Sequence, residues 1–254
     1  MPIEIAMDGH VAVLTLACPK GNAMSNAFIA ALNEALDRVE ADAATRAVVL
    51  IGKGRAFGAG LDLKESHGFD EKAQAAFVEA FDTLFARMFA FPKPVVAAIN
   101  GHAIAGGCVM ACAADWRVMA AGDFMIALTE VPLGIPFPVG ALECARHAIP
   151  REHWNTCILE GRKLAPFDAL KLGLVSRVVD GGELLKVAKA RAHELAELPA
   201  GSFARTKLDL RDEGLARIRE RATESRANFV RHWFGPDASE RRAAMVAQLG
   251  AKGG

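Results

Sequence analysis

The sequence contains no tyrosine, and this absence limits the chemistry that the chain can perform. No mechanism of this protein can use a phenol as its acid or as a hydrogen-bond donor. Lysine and arginine number 30, as do aspartate and glutamate, so no global field attracts an anionic polymer. No cluster of basic and aromatic residues typical of an RNA-binding surface is present either. We therefore expect no nucleic-acid partner.

Long apolar runs and paired cysteines are also missing. No apolar run approaches the roughly 18 residues that a membrane-spanning helix requires, so we expect no membrane partner. The cysteines are odd in number and form no Cys-x-x-Cys motif: Cys18, Cys108, Cys112, Cys144 and Cys157. This pattern favours buried, reduced thiols over disulfides or a metal site. Residues 1–5 carry no basic region before an apolar core, so we expect no targeting signal and a cytoplasmic protein.

The composition that remains is that of an ordinary globular protein. Hydrophobic residues make up 52% of the 254 residues and charged residues 24%. A chain of this length forms either one large domain or one domain with an extension. Strand, loop and helix patterns recur along it, which predicts α/β layering.

Several segments give more local expectations. Residues 3–16 predict a hairpin, and residues 174–179 predict a last strand. A helical pattern follows from about 183, with interruptions at 199–201 and 235–236. The phenylalanines of the run 70–91, among them Phe81, have helical spacing and are expected in the core. In 202–249 we expect large apolar side chains to be buried against another element or subunit: Leu208, Leu215, Ile218, Phe229, Val230, Trp233 and Phe234.

One glycine-bearing loop stands out near the middle of the chain. The apolar run 94–99 reads as a buried strand, and a helical pattern begins where Gly106 and Gly107 open the next segment. Glycine allows a ligand to approach the backbone closely, and the first turn of a helix has N–H groups without internal partners. Such donors suit an oxyanion or a developing enolate. The alternative is a tight strand-to-helix turn that binds nothing.

A second loop of the same kind precedes it. The apolar run 48–51 leads into residues 52–63, which end in Ala-Gly-Leu-Asp-Leu, and a helical pattern follows from about Asp70. Two such loops can aim backbone N–H groups at one point. That convergence is what an oxyanion hole requires.

Together these motifs resemble those of the enoyl-CoA hydratase/isomerase (crotonase) superfamily over about residues 5–200. The resemblance implies an α/β fold built as a spiral of repeated ββα units. It further implies a catalytic, CoA-ester-binding core over 1–198 and a C-terminal helical region over 199–254. That region would cover the pocket and assemble the chain into a homotrimer or a dimer of trimers.

The resemblance also assigns roles to individual residues. The backbone N–H groups of Leu61 and Gly106 would form the oxyanion hole. Residues expected to bind the acyl-CoA thioester are Ala23, Ala59, Gly60, Leu61, Asp62, Leu63, Gly106, Gly107, Pro132 and Leu133. Candidates to meet the CoA phosphates are Lys20, Lys53, Arg55 and Lys64, with ordinary solvated side chains as the alternative. Coenzyme A would be part of the substrate, so no separate cofactor and no metal are expected.

Glu130 is the candidate acid and base. It lies in strongly apolar company, where desolvation would raise the pKa of its carboxyl and help it to carry a proton in both directions. A water-facing glutamate at the edge of a loop is the alternative. The segment Glu-x-x-Leu-Gly-Ile matches the superfamily segment that supplies a catalytic glutamate, and this favours the first interpretation.

The sequence departs from the hydratases of the superfamily at Val109. Hydratases use a second glutamate at that position, and valine cannot activate a water molecule. A single glutamate suffices to move a double bond from C3 to C2. The combination of Ala-Gly-Leu-Asp-Leu, Ala-Gly-Gly-Cys and Glu-x-x-Leu-Gly-Ile most resembles that of mitochondrial-type Δ3,Δ2-enoyl-CoA isomerases. Hydration by Glu130 with another partner, or a different reaction of an acyl-CoA thioester, is the alternative.

Other ionisable residues have structural interpretations that compete with catalytic ones. His67 and His102 are more simply explained by structural hydrogen bonds, and Asp62 by a role in shaping its loop. Glu143 is a weaker second candidate for an acid. No Gly-x-Ser-x-Gly motif supports a serine hydrolase. A CoA-ester binder without activity, or an RNA-binding relative, is the hypothesis from another functional class.

Overall fold

The computed structural model describes the backbone of residues 2–251 and the side chains of residues 2–244. The strands are β1 (Ile3–Asp8), β2 (Val11–Leu16), β3 (Ala47–Gly52), β4 (Ala56–Gly58), β5 (Val95–Ile99), β6 (His102–Ile104), β7 (Trp116–Ala120), β8 (Ile126–Ala127) and β9 (Arg177–Val179). The helices are α1 (Pro19–Asn22), α2 (Asn26–Ala41), α3 (Leu63–Ser66), α4 (Glu71–Ala90), α5 (Gly106–Ala113), α6 (Val139–Ala148), α7 (Pro166–Lys171), α8 (Leu184–Ala196), α9 (Ala200–Trp233) and α10 (Pro236–Ala251). A 3₁₀ turn (Arg151–His153) and a π-helical turn (Asn155–Leu159) lie between α6 and α7.

A six-stranded sheet in the order β1-β2-β3-β5-β7-β9 forms the larger layer. The β1–β2 pair is the antiparallel hairpin predicted from residues 3–16, and the remaining pairs are parallel. Every residue of β5 is buried, which explains why its sequence is a continuous apolar run instead of an alternating pattern.

A second sheet in the order β4-β6-β8 is parallel and consists of short strands. Each of its strands follows directly after a strand of the large sheet and precedes a helix. The resulting series is β3–β4–α4, β5–β6–α5 and β7–β8–α6, with the short helix α3 inserted before α4. This confirms the predicted α/β spiral of ββα units with a helical C-terminal region.

The long helix α9 packs back onto α4 and α6 of the same chain. Its residues Ile218, Phe229 and Trp233 belong to the main hydrophobic core, as expected from their apolar spacing. Leu208 and Phe234, for which burial against another element or subunit was expected, are exposed in the single chain. The helix therefore buries one face and leaves large apolar side chains on another.

Two predicted boundaries differ from the structure. The last strand, expected over 174–179, is formed only by 177–179, because the N–H groups of Leu174 and Val175 donate to the Ala169 carbonyl and close helix α7. The interruption expected at 199–201 is present but lies slightly earlier, between the end of α8 at Ala196 and Pro199, the N-cap residue of α9.

Two sequence-based expectations concern the cysteines and the membrane. All five cysteines are free thiols, and Cys108, Cys112, Cys144 and Cys157 are buried. Among the helices of residues 2–251, none combines the length and apolar character needed to cross a bilayer.

Candidate active site

The two glycine-bearing loops lie directly against each other. A Cβ atom added to Gly107 would lie 2.1 Å from the Gly58 carbonyl oxygen, and one added to Gly60 would lie 2.9 Å from the Ala105 Cβ. The backbones approach so closely that side chains at Gly107 and Gly60 would collide with the opposite loop. The same virtual atom on Gly60 lies 3.5 Å from the Gly106 nitrogen. Leu61 and Gly106 are therefore neighbours in space.

The segment around Leu61 is fixed by a pair of backbone hydrogen bonds to Met24. The Met24 N–H donates to the Gly60 carbonyl (2.7 Å), and the Asp62 N–H donates to the Met24 carbonyl (3.0 Å). The N–H groups of Leu61 and Gly106 donate to no backbone carbonyl of the residues that the structure describes. Both predicted oxyanion-hole donors are thus left free of backbone partners.

Ala105 precedes Gly106 with a backbone conformation that alanine rarely adopts, φ +49° and ψ −121°. Such a conformation costs about 1–3 kcal/mol and persists only where the surroundings enforce it. Here the Ala105 N–H donates to the Ala127 carbonyl at 2.8 Å, which anchors the residue to the end of β8. Since ψ of Ala105 sets the plane of the next peptide group, this strain determines the direction of the Gly106 N–H.

Asp62 holds the first loop in place instead of lining a cavity. Its carboxylate accepts from the N–H groups of Lys64 and Glu65 at the start of α3 and pairs with the Lys20 ammonium at 2.8 Å. Burial raises the pKa of this carboxyl, but the Lys20 side chain and the backbone donors outweigh it and hold the pKa below its ordinary value. The loop-shaping role expected for Asp62 agrees with these contacts.

A cavity opens where the three strands of the small sheet end. Its volume is small, about 70 Å³. Its walls are formed by Ala59, Leu61, Leu63, Phe81, Ile104, Ala105, Thr129, Glu130, Leu133, Ile135, Pro138 and Phe229. Ala59 and Leu61 follow β4, Ala105 follows β6, and Thr129 and Glu130 follow β8. The carboxyl ends of parallel strands, where α/β proteins commonly bind ligands, thus converge on one space.

The predicted substrate-binding residues divide into two groups around this cavity. Ala59, Leu61, Leu63 and Leu133 form part of its walls. The others that were named do not: Ala23, Gly60, Asp62, Gly106, Gly107 and Pro132. Gly60, Gly106 and Gly107 lie immediately behind the wall, where the two loops touch. Pro132 is exposed and its carbonyl accepts a hydrogen bond from Arg241.

Glu130 places its carboxyl group in the wall of this mainly apolar cavity. The residue is only 6% exposed, and its Oε2 atom has no hydrogen-bond partner. Burial raises the pKa of its carboxyl from the ordinary 4.5 to about 7, although the backbone N–H groups of Glu130 and Thr129 act in the opposite direction. A carboxyl with a pKa near neutrality can both take up and release a proton under physiological conditions.

No second carboxyl accompanies Glu130 in the part of the wall formed by described residues. Val109 is fully buried in the core and contributes nothing to the wall. Glu143 lies on α6 and is engaged by arginine: Arg217 donates to it through Nε (3.0 Å) and Nη2 (2.8 Å). His102 accepts from the Met125 N–H at 3.1 Å, in agreement with a structural role, and His67 is exposed at the end of α3.

The four basic candidates for the CoA phosphates lie at the surface. Lys20 and Lys53 are paired with Asp62 and Glu4, respectively. The Arg55 guanidinium lies 5.8 Å from the centre of the Phe124 ring, and Lys64 is exposed. These contacts leave their assignment to phosphate as a prediction.

The sequence did not assign seven of the described wall residues to the site: Phe81, Ile104, Ala105, Thr129, Ile135, Pro138 and Phe229. Phe81 belongs to the core, as expected, and it also forms part of the cavity wall, because helix α4 turns one edge of its aromatic stripe toward the cavity. Phe229 was expected to be buried, but its place beside Glu130 depends on a contact between distant segments. The other five had a local signal, because Ile104 and Ala105 directly precede Gly106, and Thr129, Ile135 and Pro138 lie in the segment around Glu130.

Comparisons with known proteins place these features in context. A family model described as enoyl-CoA hydratase/isomerase matches residues 6–244. A putative enoyl-CoA hydratase of Thermus thermophilus is 38% identical over 205 residues, which cover 78% of this chain and 79% of that protein.

Two solved structures are similar over nearly the whole chain. Human mitochondrial Δ3-Δ2-enoyl-CoA isomerase is 26% identical, with a TM-score of 0.93 and complete coverage of both chains. An enoyl-CoA isomerase of Mycobacterium tuberculosis is 30% identical, with a TM-score of 0.83 over 90% of this chain and 99% of that one. The similar proteins therefore include some named hydratases and others named isomerases.

Proposed function

The chain belongs to the enoyl-CoA hydratase/isomerase family, and on that premise we propose that it converts a 3-enoyl-CoA thioester into the 2-enoyl-CoA. The observation that carries this proposal is that, among the residues the structure describes, Glu130 supplies the one carboxyl of a mainly apolar cavity wall. Acyl-CoA chemistry follows from the family, and the choice of isomerisation follows from the residues of the cavity.

The first step requires stabilisation of negative charge on the thioester oxygen. Removal of a proton from C2 gives an enolate, and two converging N–H donors lower the energy of such an anion. In this proposal the donors are the backbone N–H groups of Leu61 and Gly106. Their adjacent loops and the strain at Ala105 support that assignment, because both restrict where the donors can point.

The second step requires one group that moves a proton between two carbons. The ionised Glu130 carboxylate removes the C2 proton and becomes neutral, and the electron pair of the C2–H bond moves into the enolate. The neutral acid then returns the proton to C4 as the C2–C3 double bond forms and the C3–C4 double bond is lost. No proton, electron or water molecule is gained or lost overall, so one carboxyl suffices.

Hydration is the second candidate, and the names of several relatives favour it. It requires activation of a water molecule and delivery of a proton on the neighbouring carbon, for which hydratases of this family use two glutamates. Valine stands at the position of the second one. We therefore rank hydration below isomerisation.

Replacing Glu130 by glutamine tests the proposal directly. The amide has nearly the same shape but cannot exchange a proton, so we expect 3-enoyl-CoA isomerisation to fall by about 10²–10⁴-fold. Binding of a saturated acyl-CoA should change little, as measured by calorimetry. Assays of 3-enoyl-CoA isomerisation and 2-enoyl-CoA hydration on the wild-type protein separate the two candidates. Hydration as the faster reaction, or a Glu130→Gln variant with normal turnover, would contradict the isomerase assignment.

We also propose that the C-terminal helical region assembles the chain into a homotrimer or a dimer of trimers. The exposed apolar residues Leu208, Leu210 and Phe234 on and just after α9 support this, because such side chains favour burial against another subunit. Coenzyme A enters only as part of the substrate, with no other cofactor. Sedimentation equilibrium gives the assembly state, and a monomer at micromolar concentration would contradict the trimer.

A further inference from the structure

Three planar groups are stacked between the C-terminal helices and the cavity. The Arg242 guanidinium on α10 lies 3.9 Å from the centre of the Trp233 ring system. Trp233 in turn stacks on Phe229, with the ring centres 5.7 Å apart and the planes inclined by 19°. Phe229 forms part of the cavity wall. We refer to these three residues as the aromatic pillar.

The outer end of the aromatic pillar is held by hydrogen bonds. Arg242 donates through Nη2 to the Trp233 carbonyl (2.7 Å) and through Nε to the Ala238 carbonyl (3.2 Å). The bond to Trp233 ties α10 to the end of α9, and the bond to Ala238 lies within α10, so the guanidinium cannot leave the tryptophan face without breaking them. A stacked, largely desolvated guanidinium contributes more to such a contact than an exposed one.

The same corner of the molecule touches the loop that carries Glu130. Arg241 donates to the Pro132 carbonyl at 3.0 Å. A Cβ atom added to Gly134 would lie 3.1 Å from the Ala238 Cα, so the two backbones are in close contact. The aromatic pillar is therefore fixed relative to Glu130 from the side of α10 as well as from α9.

A second aromatic side chain lies in the cavity wall with Phe229. Phe81 is supported by Phe85, whose ring centre lies 4.7 Å away in an edge-to-face arrangement. Both wall residues are almost completely buried and packed against further aromatic rings, so neither can turn aside without opening a cavity elsewhere. A ligand must fit within the space that these rings leave.

From this geometry we propose that Phe229, positioned by Trp233 and Arg242, limits the length of the acyl chain that the cavity accepts. The preferred substrates are short-chain acyl-CoA thioesters, because a longer chain meets a ring that cannot yield. The inference rests on the acyl-CoA site proposed above. It does not depend on which reaction that site performs.

The experiment compares acyl chains of 4 to 12 carbons in the wild-type protein and in Phe229→Ala. Each methylene transferred into an apolar site contributes about fourfold in affinity. We expect the dissociation constants of saturated acyl-CoAs to stop improving at short chain length in the wild-type protein. In Phe229→Ala the improvement should continue to longer chains, with at least a tenfold gain for the longest. The kcat/KM values for 3-enoyl-CoA substrates should shift in parallel.

Two further variants keep the test decisive. Phe167→Ala removes an exposed phenylalanine of α7, outside both the cavity wall and the proposed assembly surface, and should leave the chain-length profile unchanged. Arg242→Lys keeps the charge but loses the planar contact with Trp233, and should broaden the profile partially. Should Phe229→Ala fail to fold, Phe229→Leu removes less volume and should give a smaller shift in the same direction.

The two proposals fail in different ways. An unchanged chain-length profile for binding in a folded Phe229→Ala or Phe229→Leu variant would overturn the role of Phe229, whatever the reaction. A shifted binding profile without isomerase activity on any chain length would overturn the proposed reaction and leave the role of Phe229 intact.

Discussion

Glu130 and Glu143 are buried to nearly the same degree, 6% and 3% exposed, but their surroundings are opposite. Glu143 accepts hydrogen bonds from two nitrogens of Arg217 and one of Arg146. The Oε2 atom of Glu130 faces no donor. A buried carboxylate normally demands a partner, so the residue that lacks one holds its charge at the expense of stability. Glu143 thus stabilises the fold through its ion pairs, whereas Glu130 keeps a carboxyl oxygen free for the proposed reaction.

Ion pairs like those of Glu143 attach the long helix α9 to the rest of the molecule. Asp115 binds Lys207 (2.7 Å) and Arg211 (2.8 Å) near its start, and Glu143 binds Arg217 further along. Arg226 pairs with Glu79 of α4 toward its end. Helix α9 carries Phe229 into the cavity wall, so these ion pairs indirectly hold the wall of the candidate active site.

Among substitutions that test the difference between paired and unpaired buried charges, the largest loss of stability is expected at Asp115. Its partners Lys207 and Arg211 are each only 4% exposed, so Asp115→Asn leaves two buried cations without their counter-charge. We expect the free energy of unfolding to fall by about 3–5 kcal/mol. Urea denaturation measures it, with Asp168→Asn, in an exposed pair with Lys171, as the control. A loss similar to that of the control would contradict the structural role of the cluster.

Glu130→Gln is expected to act in the opposite direction. A carboxyl whose pKa is raised on folding from 4.5 to about 7 costs nothing below pH 4.5, where both states are protonated. The cost grows as the pH rises and is complete above pH 7, where it reaches about 3 kcal/mol. The stability of the variant relative to the wild-type protein should therefore increase by about that amount between pH 4 and pH 8. A pH-independent difference in urea denaturation would contradict an unpaired, buried charge at this position.

The pH dependence of catalysis gives a third, somewhat smaller effect. The proposed reaction starts from the ionised carboxylate of Glu130, and burial raises the pKa of that group to about 7. The kcat/KM for a 3-enoyl-CoA should therefore fall by about tenfold for each pH unit below this value and level off above it. A profile that stays flat down to pH 5 would show that the titrating group is not a buried carboxyl.

The smallest effect is expected at the strained residue beside the proposed oxyanion hole. Glycine adopts the φ of +49° and ψ of −121° found at Ala105 more easily than alanine does. Relief of this strain outweighs the greater freedom of glycine in the unfolded chain, so Ala105→Gly should stabilise the protein by about 1 kcal/mol. Ala111→Gly, inside the same helix α5, should destabilise it by about the same amount. Thermal unfolding compares the two, and equal losses would argue against strain at Ala105.

The parts of this molecule that could be predicted from the sequence are those with local signals. The apolar runs 48–51 and 94–99 identified two strands of the large sheet, and the glycines that follow them identified loops whose close contact the structure reveals. Glu130 could be selected because its own neighbours in the sequence are apolar.

Features that depend on distant segments could not be predicted in the same way. Glu143 remained a candidate acid, because nothing near it in the sequence indicates that Arg217, 74 residues later, neutralises it. Phe229 could be assigned to the core but not to the cavity, since that requires knowing how α9 folds back over α4. Val175 was assigned to a strand, but its N–H instead completes the end of α7.

The position of Phe229 in the cavity wall has a consequence for the order in which the protein matures. During synthesis the ribosome releases every other wall residue before this one, and Arg242 emerges later still. Until Phe229 has emerged and α9 has packed onto α4, the cavity lacks one wall and is open to water. Helices α9 and α10 would thus complete the chamber, so the space for a ligand is closed only after both helices have been synthesised.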